Sequence, residues 1–291
     1  MGLTDGPIHR AAGAESKADA QAHEDGNDMR SDSSRQLVTV LAFLLTMVVN
    51  TAANALPING QLTAEISDRF AVHVIPAGYV FAIWGVIYVL LGAFTTWQAL
   101  PRNADDPTLR SLGWLPAVSG VLNSAWVLLF QYEVFALTVP VMLGLLATLI
   151  AIHLRLWVRR DALRGTPFWV VRVPFSVYLG WITIATIANA AQTLAALGFT
   201  GLGIDAPLVG AAVLLVGLAI AVSFVTRFRD AAYGLVIVWA YVGIVVKEQD
   251  SAVVALTAGV GAAVVATLVV RTLARGGDGG SANAARTPSP A

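Results

Sequence analysis

The sequence predicts an all-α, polytopic membrane protein with eight transmembrane helices, and three observations support this prediction. Hydrophobic residues make up 57% of the chain and charged residues only 12%, too little charge for a soluble protein of 291 residues. Apolar segments follow one another along the chain, and several are long enough to cross a hydrocarbon core of about 30 Å. Basic residues are also distributed unequally between the loops on the two sides.

The apolar segments are hydrophobic throughout and do not alternate in polarity, so each is predicted to be a helix and not a strand of a transmembrane barrel. The seventh segment is the shortest. In chain order, the predicted spans are 36–57, 77–99, 114–131, 134–157, 169–196, 207–226, 231–246 and 251–270.

The arginine residues predict the orientation. If the N-terminus is cytoplasmic, most arginines near the spans lie inside, and the outside keeps only Arg69 and Lys247. The cytoplasmic set is Arg30, Arg35, Arg102, Arg110, Arg155, Arg159, Arg160, Arg164, Arg172, Arg227, Arg229, Arg271 and Arg275. We therefore expect a multi-pass protein of the cell (plasma) membrane with both termini in the cytoplasm.

The polar tails differ from the apolar body of the chain. We expect residues 1–35 and 272–291 to be disordered cytoplasmic tails, because they have no apolar run to offset the entropy of ordering. The absence of cysteine excludes disulfides and thiolate metal sites, and Glu65, Asp68 and His73, between the first two spans, match no standard metal-ligand spacing. Nucleic-acid binding is not expected, since the formal net charge is zero and the basic residues flank spans.

Aromatic and amide side chains are predicted to converge in the outer half of the membrane. On the second helix the aromatic residues occur at i, i+3 and i+7, and on the fifth helix a stripe follows i, i+3, i+7 and i+11. Together with two residues of the third helix, they would form a lipophilic pocket beneath the long outer loop, residues 58–76. The candidate ligand-binding residues are Phe81, Trp84, Tyr88, Asn123, Trp126, Tyr178, Trp181, Ala185 and Asn189.

Each of these features also has a purely structural explanation. Buried amides commonly form hydrogen bonds across helices, and tryptophan is common at membrane interfaces. The outer loop could be a solvated connector and not a lid. His153 lies near the inner end of the fourth span, close to several arginines, and is interpreted as an interfacial residue. Glycines such as Gly85 and Gly217 suit close packing within or between subunits, so a homodimer is a candidate assembly.

Three motifs resemble the TspO/MBR family of tryptophan-rich sensory proteins, which includes the translocator protein. The first places Pro76, Phe81, Trp84 and Tyr88 at P-x-x-x-x-F-x-x-W-x-x-x-Y, and the second is the L-N-x-x-W of residues 122–126. The third is PFSVYLGWITIATIAN, residues 174–189. The resemblance covers about residues 36–196.

This resemblance implies a TspO-like five-helix bundle that binds a tetrapyrrole, such as a porphyrin or haem, or a sterol-like lipid. It implies that Trp84, Tyr88, Asn123, Trp126, Trp181, Ala185 and Asn189 line the pocket. The chain departs from the family pattern at Ala77 and Tyr79, where the family usually has a proline and a tryptophan. It also continues into three additional helices within residues 197–271, beyond the five implied by the resemblance.

Three classes of function follow. The preferred one is a sensory or binding protein for a planar lipophilic ligand, with no catalytic residue, no required cofactor and no enzymatic activity. The second is a secondary transporter or facilitator of a small lipophilic molecule, although no Asp, Glu, Lys or Arg lies well inside a span to couple an ion. The third is a tetrapyrrole-modifying membrane enzyme.

Overall fold

The computed structural model describes residues 7–284 with the exception of residues 57, 71 and 200, and within these residues it contains helices and turns but no strand. The α-helices are α1 (Pro7–Ala55), α2 (Thr63–Asp68), α3 (Ile83–Ala99), α4 (Pro107–Leu112), α5 (Leu115–Gln131), α6 (Phe135–Val158), α7 (Val173–Ala196), α8 (Ala206–Phe228), α9 (Ala231–Lys247) and α10 (Ala252–Ala284). A 3-10 turn, Gly78–Ala82, leads into α3, and a π-helical turn, Phe168–Arg172, leads into α7.

The prediction of a polytopic helical membrane protein is confirmed. Six helical segments are long and apolar enough to cross a membrane, and the two shorter apolar helices, α5 and α9, have 17 residues each. At 1.5 Å per residue those two helices are about 25 Å long, slightly less than the average hydrocarbon core. All eight apolar helices lie at the positions of the predicted spans.

The helices extend into both predicted tails. Helix α1 begins at Pro7, where we expected disorder from residue 1 to residue 35, and α10 continues to Ala284, beyond the expected boundary at 272. Alanine is frequent in the N-terminal extension, and its high helix propensity favours continuation of the adjoining span, whereas the four glycines within residues 272–284 give no such preference. Residues 1–6 and 285–291 of these tails lie outside the described residues, and the division of the chain into four regions stays a prediction.

Five helices form a closed ring. Helix α1 packs against α3 and α5, α5 against α6, α6 against α7, and α7 against α3. The three C-terminal helices form a second group, in which α10 packs against α8 and α9 while α9 packs against α7. Helix α7 therefore belongs to both groups, and 67% of its most apolar stretch is buried, against 22–33% for the other five long spans.

Proline and aspartate residues determine where several helices begin. Pro116, Pro174 and Pro207 occupy the first turns of α5, α7 and α8, where a missing backbone N–H removes no helical hydrogen bond. Asp230 caps α9 by accepting a hydrogen bond from the backbone N–H of Tyr233 at 3.1 Å. The starts of α5, α7, α8 and α9 are thus encoded locally.

Helix α9 holds the residues that lead into α3. The backbone N–H of Ala77 donates to the carbonyl of Gly243 at 3.1 Å, and the indole N–H of Trp239 donates to the carbonyl of Val80 at 3.1 Å. Gly243 lies so close to the Val80 side chain that a Cβ atom there would overlap it. The C-terminal group of helices therefore fixes the start of the helix that carries Trp84.

Candidate functional site

The predicted aromatic residues of α3 and α7 form one packed cluster. Trp84 stacks on Tyr88 with ring centroids 5.6 Å apart, and its edge contacts with Tyr178 and Trp181 both have centroid separations of 6.1 Å. Phe81 completes the cluster through an edge contact with Trp181 at 5.6 Å. The helical spacing that placed these residues on two stripes thus joins all five in one cluster, in which Trp84 and Trp181 make most of the contacts.

The predicted amides connect α5 to its neighbours. The indole N–H of Trp126 donates to Asn189 Oδ1 of α7 at 3.1 Å, and Asn50 Nδ2 of α1 donates to Asn123 Oδ1 at 2.9 Å. These contacts agree with the structural explanation, in which amides join helices across the bundle.

Several donors in this region are buried without a hydrogen-bond acceptor. Among the described residues, the indole N–H of Trp181 and the Nδ2 atoms of Asn123 and Asn189 have no partner, and all three residues are at most 2% exposed. A buried donor without an acceptor costs about 1–3 kcal/mol. The region thus offers unsatisfied N–H groups to any molecule that supplies oxygen or nitrogen acceptors.

The space beside the cluster is small. A cavity of about 30 Å³ lies between α1, α3, α5 and α7, and of the predicted ligand-binding residues it touches Tyr178 alone. That volume suits one or two water molecules, whereas a drug-sized ligand requires about 300–1,000 Å³. The aromatic side chains themselves fill the region in this conformation, so a planar ligand fits there only if those side chains move.

The cluster is open towards the lipid side of α3. Phe81 is 38% exposed, Trp84 and Tyr88 are half-buried, and Tyr178 and Trp181 are buried behind them. Gly85, which shares the α3 face with Phe81 and Tyr88, is exposed, and a Cβ atom at this position would meet nothing within 4 Å. A lipophilic molecule in the bilayer can therefore reach the outer members of the cluster laterally. Ala185, the remaining predicted residue, is partly buried against the core on α7.

The outer loop is fixed to the helix ends beneath it. Gln131 at the end of α5 donates to the carbonyl of Gln61 at 3.1 Å and accepts from the hydroxyl of Thr63 at 3.1 Å. Arg69 pairs with Glu133 at 2.7 Å, and the hydrogen bonds from Arg69 and Gln61 hold the pKa of Glu133 below its ordinary value. These contacts favour the interpretation of a structured cover over that of a solvated connector.

The same loop also reaches the predicted site and the C-terminal helices. Gln192, one turn beyond Asn189 on α7, donates to the hydroxyl of Ser67 at 2.9 Å. His73 Nδ1 lies 2.6 Å from Glu248 Oε2, beside the end of α9. The loop therefore spans the outer ends of both helix groups.

A buried charged cluster was missed by the sequence analysis. Asp230 and His153 are only 3% and 4% exposed, so His153 is buried between helices near the inner end of α6, and its interpretation as an interfacial residue stays a prediction. Asp230 Oδ2 accepts from the hydroxyl of Ser176 at 2.6 Å and lies 3.7 Å from Arg172 and 3.9 Å from His153 Nδ1. Asp230 lies in the short segment between the sixth and seventh predicted spans, and its partners come from helices distant in sequence, so no local pattern indicated the cluster.

Comparison with known proteins gives one match. A family model described as TSPO-like protein matches residues 36–271. This match is longer than the region of resemblance predicted from the motifs, because it includes α8, α9 and most of α10. No curated protein and no solved structure matches the chain significantly.

Proposed function

Because the chain belongs to the TSPO-like protein family and is a multi-pass membrane protein, we propose that it binds a planar lipophilic ligand between α3, α5 and α7. In this proposal it is a sensory or binding protein and not an enzyme, and the ligand is a tetrapyrrole or a sterol-like lipid. The plasma membrane is the proposed setting, and the arginine distribution supports an orientation with both termini in the cytoplasm.

The observation that supports this function best is the combination of a half-exposed aromatic face with buried, unsatisfied donors behind it. Trp84 and Tyr88 offer flat apolar surface, while Trp181, Asn123 and Asn189 offer N–H groups without acceptors. Pockets for small molecules typically combine apolar walls with a few directional polar groups. A ligand that carries acceptors, such as the carboxylates of a porphyrin or the oxygen of a sterol, would satisfy these donors.

Binding in this proposal requires the cluster to open. The half-buried rings of Trp84 and Tyr88 lie at the lipid-facing edge, so their rotation would admit a ligand between α3 and α7 while the buried rings stay in place. The cover formed by the outer loop would keep water away from the ligand. The expected entry route is therefore lateral, from the bilayer.

Titration of the purified protein with protoporphyrin IX, followed by the absorbance of the porphyrin, tests the proposal. We expect saturable binding that Trp84→Leu weakens by about tenfold or more, because a large buried aromatic contact is lost. Trp181→Phe keeps a ring in place but removes the N–H donor, so we expect roughly fivefold weaker binding, equivalent to about 1 kcal/mol. Gly85→Leu should obstruct the lipid-facing side, since the space at Gly85 is open.

Trp169→Phe is the matched control, because Trp169 is 65% exposed and lies outside the aromatic cluster. Its affinity for protoporphyrin IX should equal that of the unmodified protein. Non-saturable binding, or saturation that none of the three site variants alters, would contradict the proposed site. Parallel titration with a fluorescent sterol distinguishes the two ligand classes.

A further inference from the structure

The cluster of His153, Arg172 and Asp230 is electrically balanced only while the imidazole is neutral. The carboxylate and the guanidinium cancel each other, and Asp230 Oδ2 already accepts a hydrogen bond from Ser176. His153 Nδ1 lies 3.9 Å from that oxygen, beyond hydrogen-bond distance, and within the described part of the chain its Nε2 atom has no partner. The imidazole is therefore held mainly by its apolar neighbours.

The surroundings of the imidazole come from three elements, namely α8, the turn before α7 and the start of α9. Helix α8 supplies two phenyl rings, with centroids 4.7 Å (Phe224) and 4.8 Å (Phe228) from that of His153. Arg172 faces the ring from the turn before α7, and Asp230 faces it from the start of α9. The nearest phenol, that of Tyr233 on α9, is engaged with Thr183 Oγ1 at 3.3 Å. An added proton on His153 thus has one carboxylate to pair with, and Arg172 already uses it.

Protonation of His153 would disturb this arrangement in one of two ways. The imidazolium can move towards Asp230 and displace Arg172, or water can reach the ring if Phe224 and Phe228 separate from it, because a buried cation requires a partner or solvent. The first change acts on the residue that caps α9, and the second acts on the inner end of α8. Both weaken the attachment of the C-terminal helices to α6 and α7.

We propose that His153 is a proton-binding site in the membrane-embedded part of the chain, and that proton uptake there loosens α8 and α9 from the five-helix ring. The ionisable groups of the site come from three elements that are separate in sequence; His153 and Asp230 are almost completely buried, and the Arg172 side chain is 17% exposed. Ionisable residues in such positions are rare in membrane helices and commonly serve proton-dependent functions. This proposal is independent of the ligand proposed above.

Hydrogen–deuterium exchange of the full chain in lipid nanodiscs tests it. Exchange of residues 231–247 is compared at about pH 7.5 and about pH 5.5, on either side of the ordinary histidine pKa, after correction for intrinsic rates. We expect roughly tenfold faster exchange in α9 at the lower pH, with α5, which packs against α1 and α6, unchanged as an internal reference. His153→Gln should remove this acceleration, and His73→Gln, which changes the histidine that contacts Glu248 at the opposite end of α9, should retain it.

Equal acceleration in the protein with His153→Gln and in the unmodified protein would overturn the proposal, as would no acceleration in the unmodified protein. If His153→Gln does not fold, nitrogen NMR of ring-labelled histidine in the otherwise unmodified chain replaces it. A ring that gains its proton in step with the loss of α9 protection supports the proposal. A ring that stays neutral while α9 loosens, or gains its proton without any change in α9, contradicts it.

Discussion

Replacing Gln131 by leucine should release the outer loop from the helix ends beneath it. The Gln131 side chain is fully buried, with 0% exposure, and forms two hydrogen bonds of 3.1 Å to the loop, at Gln61 and Thr63. Leucine is similar in size but forms neither bond. At about 1 kcal/mol for each bond, the closed position of the loop is destabilised by about 2 kcal/mol relative to the open one. This corresponds to a roughly 30-fold larger equilibrium constant for opening.

Hydrogen–deuterium exchange of residues 61–68 measures this equilibrium directly. The matched control is Gln98→Leu, since Gln98 is 1% exposed and bonds to the carbonyl of Gln36 at 3.2 Å, far from the outer loop in the ring. That change should leave exchange in the loop unaltered. An increase of less than about threefold with Gln131→Leu would refute the reasoning, and would mean that the Arg69–Glu133 ion pair and apolar contacts hold the loop.

Three further predictions concern packing, pH and helix association. Gly243→Ala should lower the melting temperature, with a loss of about 1–3 kcal/mol in the free energy of unfolding, because the added methyl group overlaps the Val80 side chain. Gly85→Ala enters open space and should leave the melting temperature unchanged or raise it. Because the pKa of Glu133 is depressed, its stabilising effect on the loop is complete above the ordinary glutamate pKa of about 4.3 and is lost as the pH falls through the depressed value. Glu133→Gln should abolish this pH dependence of hydrogen exchange in the loop. A double-mutant cycle of Asn50→Ala and Asn123→Ala, followed by thermal unfolding in detergent, should give a coupling of about 0.6–2 kcal/mol, and additive effects would show that their 2.9 Å hydrogen bond adds nothing to stability.

The positions of the membrane helices could be predicted because each continuous apolar segment is by itself evidence for a helix in the bilayer. A helix must satisfy its backbone within the bilayer, so continuous hydrophobic sequence is sufficient evidence for it. The convergence of Trp84 with Trp181 was also predictable, since the stripes on α3 and α7 follow from helical periodicity alone.

The state of the site could not be predicted in the same way. Whether Trp84 lines a cavity or fills it depends on how closely α3 and α7 approach, which no spacing within one helix determines. The same applies to Asp230, because its burial depends on contacts with His153 and Arg172 on other helices. Local sequence predicts single helices well. The side-chain contacts between helices become known only when the packing of those helices is known.

The sharing of α7 between the two helix groups has a consequence for truncation. Gly180 lets α9 approach so closely that a Cβ atom there would lie 3.0 Å from the carbonyl oxygen of Tyr233. A chain cut after residue 196 would expose the surface of α7 at Gly180 that α9 covers in the full chain. It would also leave Arg172 without the carboxylate of Asp230. The five helices that resemble a complete protein would then carry an unneutralised cation at a surface shaped for another helix. We expect such a fragment to fail in folding or to associate with a helix of another protein. The C-terminal helices therefore serve, within one chain, the role that a separate subunit would serve in covering α7.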